Sequence, residues 1–217
     1  MVRGEWSANS TIFWDVDTQY DFMKSDGKLY VPGSEEIIPV LKRLTDYAHR
    51  NGIRIIASAD DHVAGHRELS ATPDWKETFP EHCMRGTPGQ QKIAETRLRN
   101  PLVIEPTRED PAALGERVRL HDGDILFHKH WFDVFTNPNV LPVIDALAPT
   151  RIVLYGVATD VCDRYAIEGL LAHRPGIPIT LVTDAQRAID PAASGSLLDD
   201  WKRRGVRLAP STAVITG

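Results

Sequence analysis

The sequence predicts an α/β fold: a three-layer arrangement in which an open parallel sheet carries helices on both of its faces. Short apolar segments with polar or charged ends recur along the chain, and segments with helical spacing separate most of them. Strands that alternate with helices form parallel βαβ units. The strand-like segments are TIFWDVD (11–17), IRIIASAD (53–60), DILFHK (124–129), RIVLYG (151–156) and IPITLVTDA (177–185).

Three segments between these strands read as helices. Residues 34–52 carry apolar side chains at helical spacing, and the segment that follows Cys162, DRYAIEGLLAHR, has the same character. Asp190 and Pro191 are a suitable cap and first residue for a third helix, which ends at Gly205. The segment VRLAPS that follows could supply a last strand.

Residues 61–123 interrupt this alternation. They are rich in Pro, Gly, His and charged residues, and only LVIEP (102–106) resembles a strand. Long irregular segments in compact domains are commonly functional. We found no internal repeat and no linker, so we predict one domain over 1–217 with an irregular insert around 61–123.

Composition excludes several classes of protein. The chain has 217 residues, 42% of them hydrophobic, and a net charge of −5 without long runs of one sign. That charge argues against a nucleic acid or an anionic membrane as partner. No segment reaches the roughly 18 apolar residues of a membrane helix. The N-terminus lacks a secretory pattern and only two cysteines are present, so we expect a cytoplasmic protein.

Polar side chains stand at the ends of four predicted strands. Asp15 and Asp17, Asp60, and Lys129 end three of them, and Cys162 follows the fourth where a helix begins. Ligands of open parallel sheets bind beyond these strand ends. A helix N-terminus and a nearby ammonium favour a thiolate nucleophile, and a carboxylate could take its proton. The alternative for Cys162 is a buried apolar thiol.

A second group of residues has the composition of a metal site. Asp60, His62 and His66 lie close together in the chain, and His82 follows in FPEHC. Mixed carboxylate and imidazole ligands suit Zn²⁺, Fe²⁺ or Mn²⁺. His66 is a further candidate ligand beside the other three. Cys83 could also be a ligand, although a structural buried thiol is the simpler interpretation.

Five motifs together resemble the nicotinamidase branch of the isochorismatase-like cysteine hydrolases. They occur in the family's order over nearly the whole chain: VDTQYDF (16–22), ADDH (59–62), FPEHCMRGTPG (79–89), FHK (127–129) and GVATDVC (156–162). The resemblance implies a Rossmann-like sheet of six mostly parallel strands. It also implies one divalent metal ion, most simply zinc, with iron and manganese as alternatives.

The resemblance assigns roles to particular residues. It implies a catalytic triad of Asp17, Lys129 and Cys162, and a metal bound by Asp60, His62 and His82. It further implies a cis peptide bond between Val157 and Ala158. The backbone N–H groups of Ala158 and Cys162 would then form an oxyanion hole.

The resemblance favours hydrolysis of nicotinamide to nicotinate and ammonia. Aromatic residues are expected to enclose the ring: Phe22, Phe79, Trp131, Phe132 and Phe135. Phe79 and Val161 depart from the Trp and His of many nicotinamidases, so another small amide (a carbamoyl or ureido compound), an isochorismate-like ether and a non-catalytic binding protein stay open. The family commonly forms oligomers, and we expect a homo-oligomer here.

Overall fold

The computed structural model describes residues 11–215, and within that range seven strands form one sheet in the order β3-β4-β2-β1-β5-β6-β7. All six pairings between neighbouring strands are parallel. The strands are β1 (Thr11–Val16), β2 (Ile55–Asp60), β3 (Leu102–Ile104), β4 (Ile125–Lys129), β5 (Arg151–Val157), β6 (Ile179–Arg187) and β7 (Arg207–Ala209). The helices are α1 (Tyr20–Met23), α2 (Ser34–Arg50), α3 (Pro111–Leu120), α4 (Val140–Leu147), α5 (Cys162–His173), α6 (Pro191–Arg203) and α7 (Ser211–Ile215).

The predicted α/β class and the parallel sheet are confirmed, with one change in strand number. The sheet has seven strands and not six, and it is parallel at every pairing rather than mostly parallel. The two edge strands, β3 and β7, have only three residues each. Both lie in segments that the sequence offered as strands, LVIEP and VRLAPS, whereas the count of six came from the family resemblance.

Adjacent residues of the central strand β1 show that helices cover both faces of the sheet. Phe13 stacks on Tyr47 of α2 with ring centroids 6.2 Å apart. Trp14 points to the opposite face, as alternation along a strand requires. There it contacts Phe135 at 6.3 Å, and the Phe135 ring lies directly against Gly169 of α5.

The insert at 61–123 is less irregular than its composition predicts. It contains β3 and the ten-residue helix α3. The Asp110 side chain begins α3 by accepting a hydrogen bond from the N–H of Ala113 at 2.9 Å. The buried guanidinium of Arg54 meets the other end of α3, where it donates to the carbonyl oxygens of Val118 and His121. Burial and hydrogen bonding thus attach this helix to β2.

The register of the central strands aligns the residues that follow them. Asp60 at the end of β2 pairs with Lys129 at the end of β4, and Val16 of β1 pairs with Gly156 of β5. Gly156 has φ +137°, and a Cβ at this position would overlap the backbone of Val16. Only glycine therefore allows β5 to approach β1 this closely.

None of the helices within residues 11–215 is long and apolar enough to cross a membrane. The segment on which the expectation of no secretory signal rests, 1–10, lies outside the residues that the structure describes.

The close approach at Gly156 leads to a stability prediction. Gly156→Ala should lower the free energy of unfolding by about 2–4 kcal/mol, because the added methyl group overlaps β1 and strains the backbone. Urea unfolding followed by circular dichroism measures the change. Gly176→Ala is the matched control, since a Cβ there has no neighbour within 4 Å. Equal unfolding midpoints for the two variants would contradict this interpretation of Gly156.

Candidate active site

The three residues of the predicted triad lie together beyond the carboxyl ends of the strands. The Lys129 ammonium lies 2.9 Å from Asp17 Oδ2 and 3.8 Å from Cys162 Sγ. It also forms an ion pair with Asp60. Asp17 and Lys129 are fully buried, and Cys162 is 8% exposed. The parallel register is what allows residues so far apart in sequence to meet at one point.

The backbone and a serine fix the orientation of Asp17. Its φ of +48° turns the chain directly after β1. Ser58 Oγ donates to Asp17 Oδ1 at 2.6 Å, which leaves Oδ2 facing Lys129. Asp15 takes a different position, where it pairs with Lys92 at 3.2 Å and accepts from the Thr18 hydroxyl at 3.1 Å. Of the two candidate acids, Asp17 is therefore the one beside the thiol.

The protonation of Cys162 differs from the sequence-based expectation. Burial raises the pKa of this thiol well above its usual value; Lys129 opposes the rise, and the Asp17 and Asp60 carboxylates add to it. The helix start and the ammonium were expected to favour a thiolate, but they act inside a dry, carboxylate-rich site. The shift favours the thiol form, and the Asp17 carboxylate lies close enough to accept its proton.

The chain between β5 and α5 carries the predicted oxyanion-binding groups. The peptide bond between Val157 and Ala158 is cis. Cys162 is the first residue of α5, so its N–H precedes the helical hydrogen bonds. Ala158 and Cys162 line the same cavity. Two backbone N–H groups are thereby available within one small space.

A buried cluster of four side chains fits a metal ion. Its members are Asp60, His62, Glu68 and His82, and each contributes an atom within 4.8 Å of the others. His82 Nε2 lies 3.6 Å from Asp60 and 3.5 Å from Glu68, while the corresponding distances from His62 Nε2 are 3.8 and 3.9 Å. Ligands about 2.1 Å from a tetrahedral metal are about 3.4 Å apart, close to this spacing.

Unsatisfied polar atoms support the same conclusion. One buried nitrogen or oxygen of each cluster member has no hydrogen-bond partner among the described residues: Asp60 Oδ2, His62 Nε2, Glu68 Oε2 and His82 Nε2. Buried polar groups are rarely left unpaired in proteins. The four atoms face one another, and a divalent cation would satisfy all of them.

The histidine rings are held in the orientation that a metal requires. His82 Nδ1 donates to the Pro80 carbonyl at 2.7 Å, which directs Nε2 into the cluster. Burial lowers the pKa of His62 to about 4, so this ring is neutral. For His82, burial is outweighed by Asp60 and Glu68, whose carboxylates raise the pKa to about 9. A cation bound there would replace that proton.

The structure revises two of the sequence-based ligand candidates. His66 lies outside the cluster, where its Nδ1 is 3.2 Å from His62 Nδ1 and its ring stacks on His130. Cys83 is also outside it, fully buried in the core. Glu68, which no motif indicated, takes the fourth position.

Glu68 reaches the cluster because its segment folds back on the segment before His82. The Phe79 N–H donates to the Glu68 carbonyl, and the Ser70 N–H donates to the Phe79 carbonyl, both at 2.8 Å. A single glutamate in the charged segment HRELS gives no sign of this pairing in the sequence.

Two residues of the first motif hold these elements in place. Gln19 clamps Asp60: its side-chain oxygen accepts from the Asp60 N–H at 2.7 Å, and its nitrogen donates to the Asp60 carbonyl at 2.8 Å. The Asp21 carboxylate accepts the N–H groups of Cys83 at 2.7 Å and Lys28 at 3.1 Å. The segment that carries His82 is therefore joined to the start of the chain.

One cavity connects the thiol with the metal-ligand cluster. It is a narrow cleft, and the unoccupied space around its lining residues, part of it open solvent, amounts to about 310 Å³. Its aromatic walls are Phe22, Phe79 and Phe132. Its other lining residues are Leu29, Val31, Asp60, Glu68, His82, Val157, Ala158, Val161, Cys162 and Ile189.

Two of the expected ring-binding aromatics do not line this cavity. Trp131 packs against Phe132, and the Arg67 guanidinium covers the Trp131 ring at 3.8 Å. Phe135 lies in the core between Trp14 and His173. The sequence indicated aromatic residues after Lys129, but the 3₁₀ turn Val134–Thr136 decides which of them face the site.

Comparison with known proteins identifies the family. The family model described as the isochorismatase domain matches residues 12–213. Nicotinamidase of Escherichia coli is 26% identical over 81% of this chain and 82% of its own length. The nicotinamidase/pyrazinamidase of Mycobacterium tuberculosis is 25% identical over 91% of this chain and 97% of its own. The structure of Pyrococcus horikoshii pyrazinamidase in complex with zinc has a TM-score of 0.71 at 22% identity, covering 93% of this chain and 99% of that one. The chain belongs to the isochorismatase-like hydrolase family.

Proposed function

We propose that the protein is a metal-dependent cysteine amidohydrolase that converts nicotinamide and water to nicotinate and ammonia. One observation carries the proposal: Cys162, which contacts Lys129 and through it Asp17, lines the same aromatic-walled cavity as Asp60, Glu68 and His82 of the metal-ligand cluster. The nicotinamidases among its relatives support the same reaction.

The cavity suits a small heteroaromatic amide. Phe22, Phe79 and Phe132 present apolar surfaces to a flat ring, and the thiol lines the same cavity as members of the metal-ligand cluster. A divalent metal held by this cluster, zinc most simply and iron or manganese otherwise, would supply a Lewis-acid position for a pyridine nitrogen. The ring would then be oriented with its carboxamide over Cys162.

The residues of the triad divide the first half of the reaction among them. Asp17 accepts the proton of Cys162 as the sulfur attacks the carbonyl carbon, and the Lys129 ammonium stabilises the forming thiolate. The oxyanion accepts hydrogen bonds from the N–H groups of Ala158 and Cys162. Asp17 then gives its proton to the leaving nitrogen, so that ammonia departs and a thioester with Cys162 is left.

The second half of the reaction restores the enzyme. Asp17 takes a proton from a water molecule that attacks the thioester carbonyl, and the same N–H groups hold the second oxyanion. The thioester bond breaks, Asp17 returns the proton to the sulfur of Cys162, and the acid leaves and gives its remaining proton to solvent to become nicotinate. No net proton is gained or lost by the protein in one cycle.

The thiol provides a prediction about turnover. Cys162→Ala should reduce ammonia release from nicotinamide by at least about 10³-fold, because no nucleophile is left to form the thioester. A coupled ammonia assay measures the rate, and circular dichroism verifies the fold. Cys83→Ala is the matched control, since it removes the other cysteine and should retain turnover within about tenfold. Undiminished activity of the Cys162→Ala variant would contradict a mechanism in which Cys162 is the nucleophile.

Glu68 provides a prediction about the metal. The wild-type protein should bind one divalent ion per chain, and Glu68→Ala should weaken zinc affinity by at least about tenfold. Competition with a chromophoric chelator measures the affinity without reference to activity. Glu81→Ala, an exposed glutamate next to His82, should bind zinc as the wild type does. Equal affinities for Glu68→Ala and Glu81→Ala would remove Glu68 from the ligand set.

The substrate is tested with a panel of small amides. Nicotinamide should exceed benzamide in kcat/KM by about 10² or more, because benzamide lacks the ring nitrogen that the metal would bind. N-carbamoylsarcosine represents the carbamoyl compounds of the alternative reaction, and its turnover should also be slow. Faster turnover of the carbamoyl compound, or equal rates for the two ring amides, would contradict the proposed substrate.

A further inference from the structure

An open groove continues from the candidate active-site cavity along the protein surface. The two share three wall residues, Phe79, Val161 and Ile189. The groove is wider and more open to solvent than the cavity. A pyridine carboxamide in the cavity would leave this adjoining space unfilled.

One wall of the groove presents an exposed aromatic ring. The side chain of Trp75 is 60% exposed, although large apolar residues at that exposure are uncommon. Its ring meets Phe79 edge-on at 6.3 Å. The turn that carries Trp75 is fixed by Asp74, which accepts N–H groups from Lys76, Glu77 and Thr78. The backbone turn and the contact with Phe79 therefore position the Trp75 ring next to the cavity.

The groove is lined by two cations, Lys76 and Arg164, and two carboxylates, Asp160 and Asp190, and of these four side chains only the carboxylates have hydrogen-bond partners among the described residues. The carboxylate of Asp160 accepts the N–H groups of Ile189 and Asp190, and that of Asp190 accepts the N–H of Ala192. Both carboxylates are thus occupied by backbone groups. Within residues 11–215, no carboxylate lies within ion-pairing distance of Lys76 or Arg164.

We propose that this groove is a second substrate subsite, which takes the anionic, distal part of an amide larger than nicotinamide. The inference rests on the proposed function, since the amide itself would be cleaved at Cys162. The Arg164 guanidinium and the Lys76 ammonium attract the negative charge, and the Trp75 ring covers the connecting atoms. Arg164 lies two residues after Cys162 on α5, so the charged end of the substrate would sit close to the reacting centre.

Binding to a metal-loaded Cys162→Ala protein tests the subsite without turnover. The probes are nicotinamides with a carboxymethoxy group at ring carbon 4, 5 or 6, each compared with its neutral methoxyethoxy counterpart. At low salt, calorimetry should give a Kd at least about fivefold lower for one acid than for its neutral counterpart. This preference should decline in 0.5 M NaCl, because salt screens an exposed charge.

Charge reversal provides the decisive comparison. Cys162→Ala/Arg164→Glu should lose the preference for the acid and favour the neutral compound. Cys162→Ala/Arg43→Glu changes an exposed arginine of α2 and should retain the preference. A Kd ratio within about twofold of one for every pair, a ratio that Arg164→Glu leaves unchanged, or no binding of any probe would overturn the proposal. Ammonia release from nicotinamide by the wild type is measured separately, and its absence would contradict the proposed function without affecting the binding ratio.

Discussion

The buried ammonium of Lys129 is the interaction on which the site depends. A cation without solvent is costly unless carboxylates surround it, and here Asp17 and Asp60 both contact it. Burial alone would lower the pKa of Lys129, but these carboxylates outweigh burial and raise it, so the charge is kept. Asp17 lies beside the thiol, and Asp60 belongs to the metal-ligand cluster. One ammonium therefore connects the two halves of the site.

The carboxylates that surround this ammonium give the site an excess of negative charge. Asp17, Asp60 and Glu68 are three carboxylates around one cation, which leaves an excess of two negative charges when the histidines are neutral. Burial and the charge of Asp60 raise the pKa of Glu68, and the carboxylates raise that of His82. Both raised pKa values mean that binding a proton, and hence a positive charge, is favoured at this site. A divalent cation in the cluster would balance the two excess negative charges.

Parallel topology decided which parts of this site could be predicted from the sequence. Residues that end parallel strands meet at one edge whatever their separation along the chain, so Asp60 and Lys129 could be assigned to the same edge of the sheet without coordinates. Glu68 could not, because it depends on a pairing between two irregular segments. The aromatic residues after Lys129 were predicted as a group, and only packing separates Phe132 in the cavity from Phe135 in the core.

The raised pKa of Cys162 depends mainly on burial, which cannot be predicted from the sequence of the turn alone. Position at a helix start predicts a thiolate, whereas burial and the neighbouring carboxylates favour a thiol. A thiol is consistent with the proposed reaction, because ammonia can leave only if the nitrogen gains a proton. The sulfur supplies that proton through Asp17 at the moment when the carbonyl carbon is attacked. If Cys162 and Asp17 were both ionised at rest, the proton for the leaving nitrogen would have to come from another group.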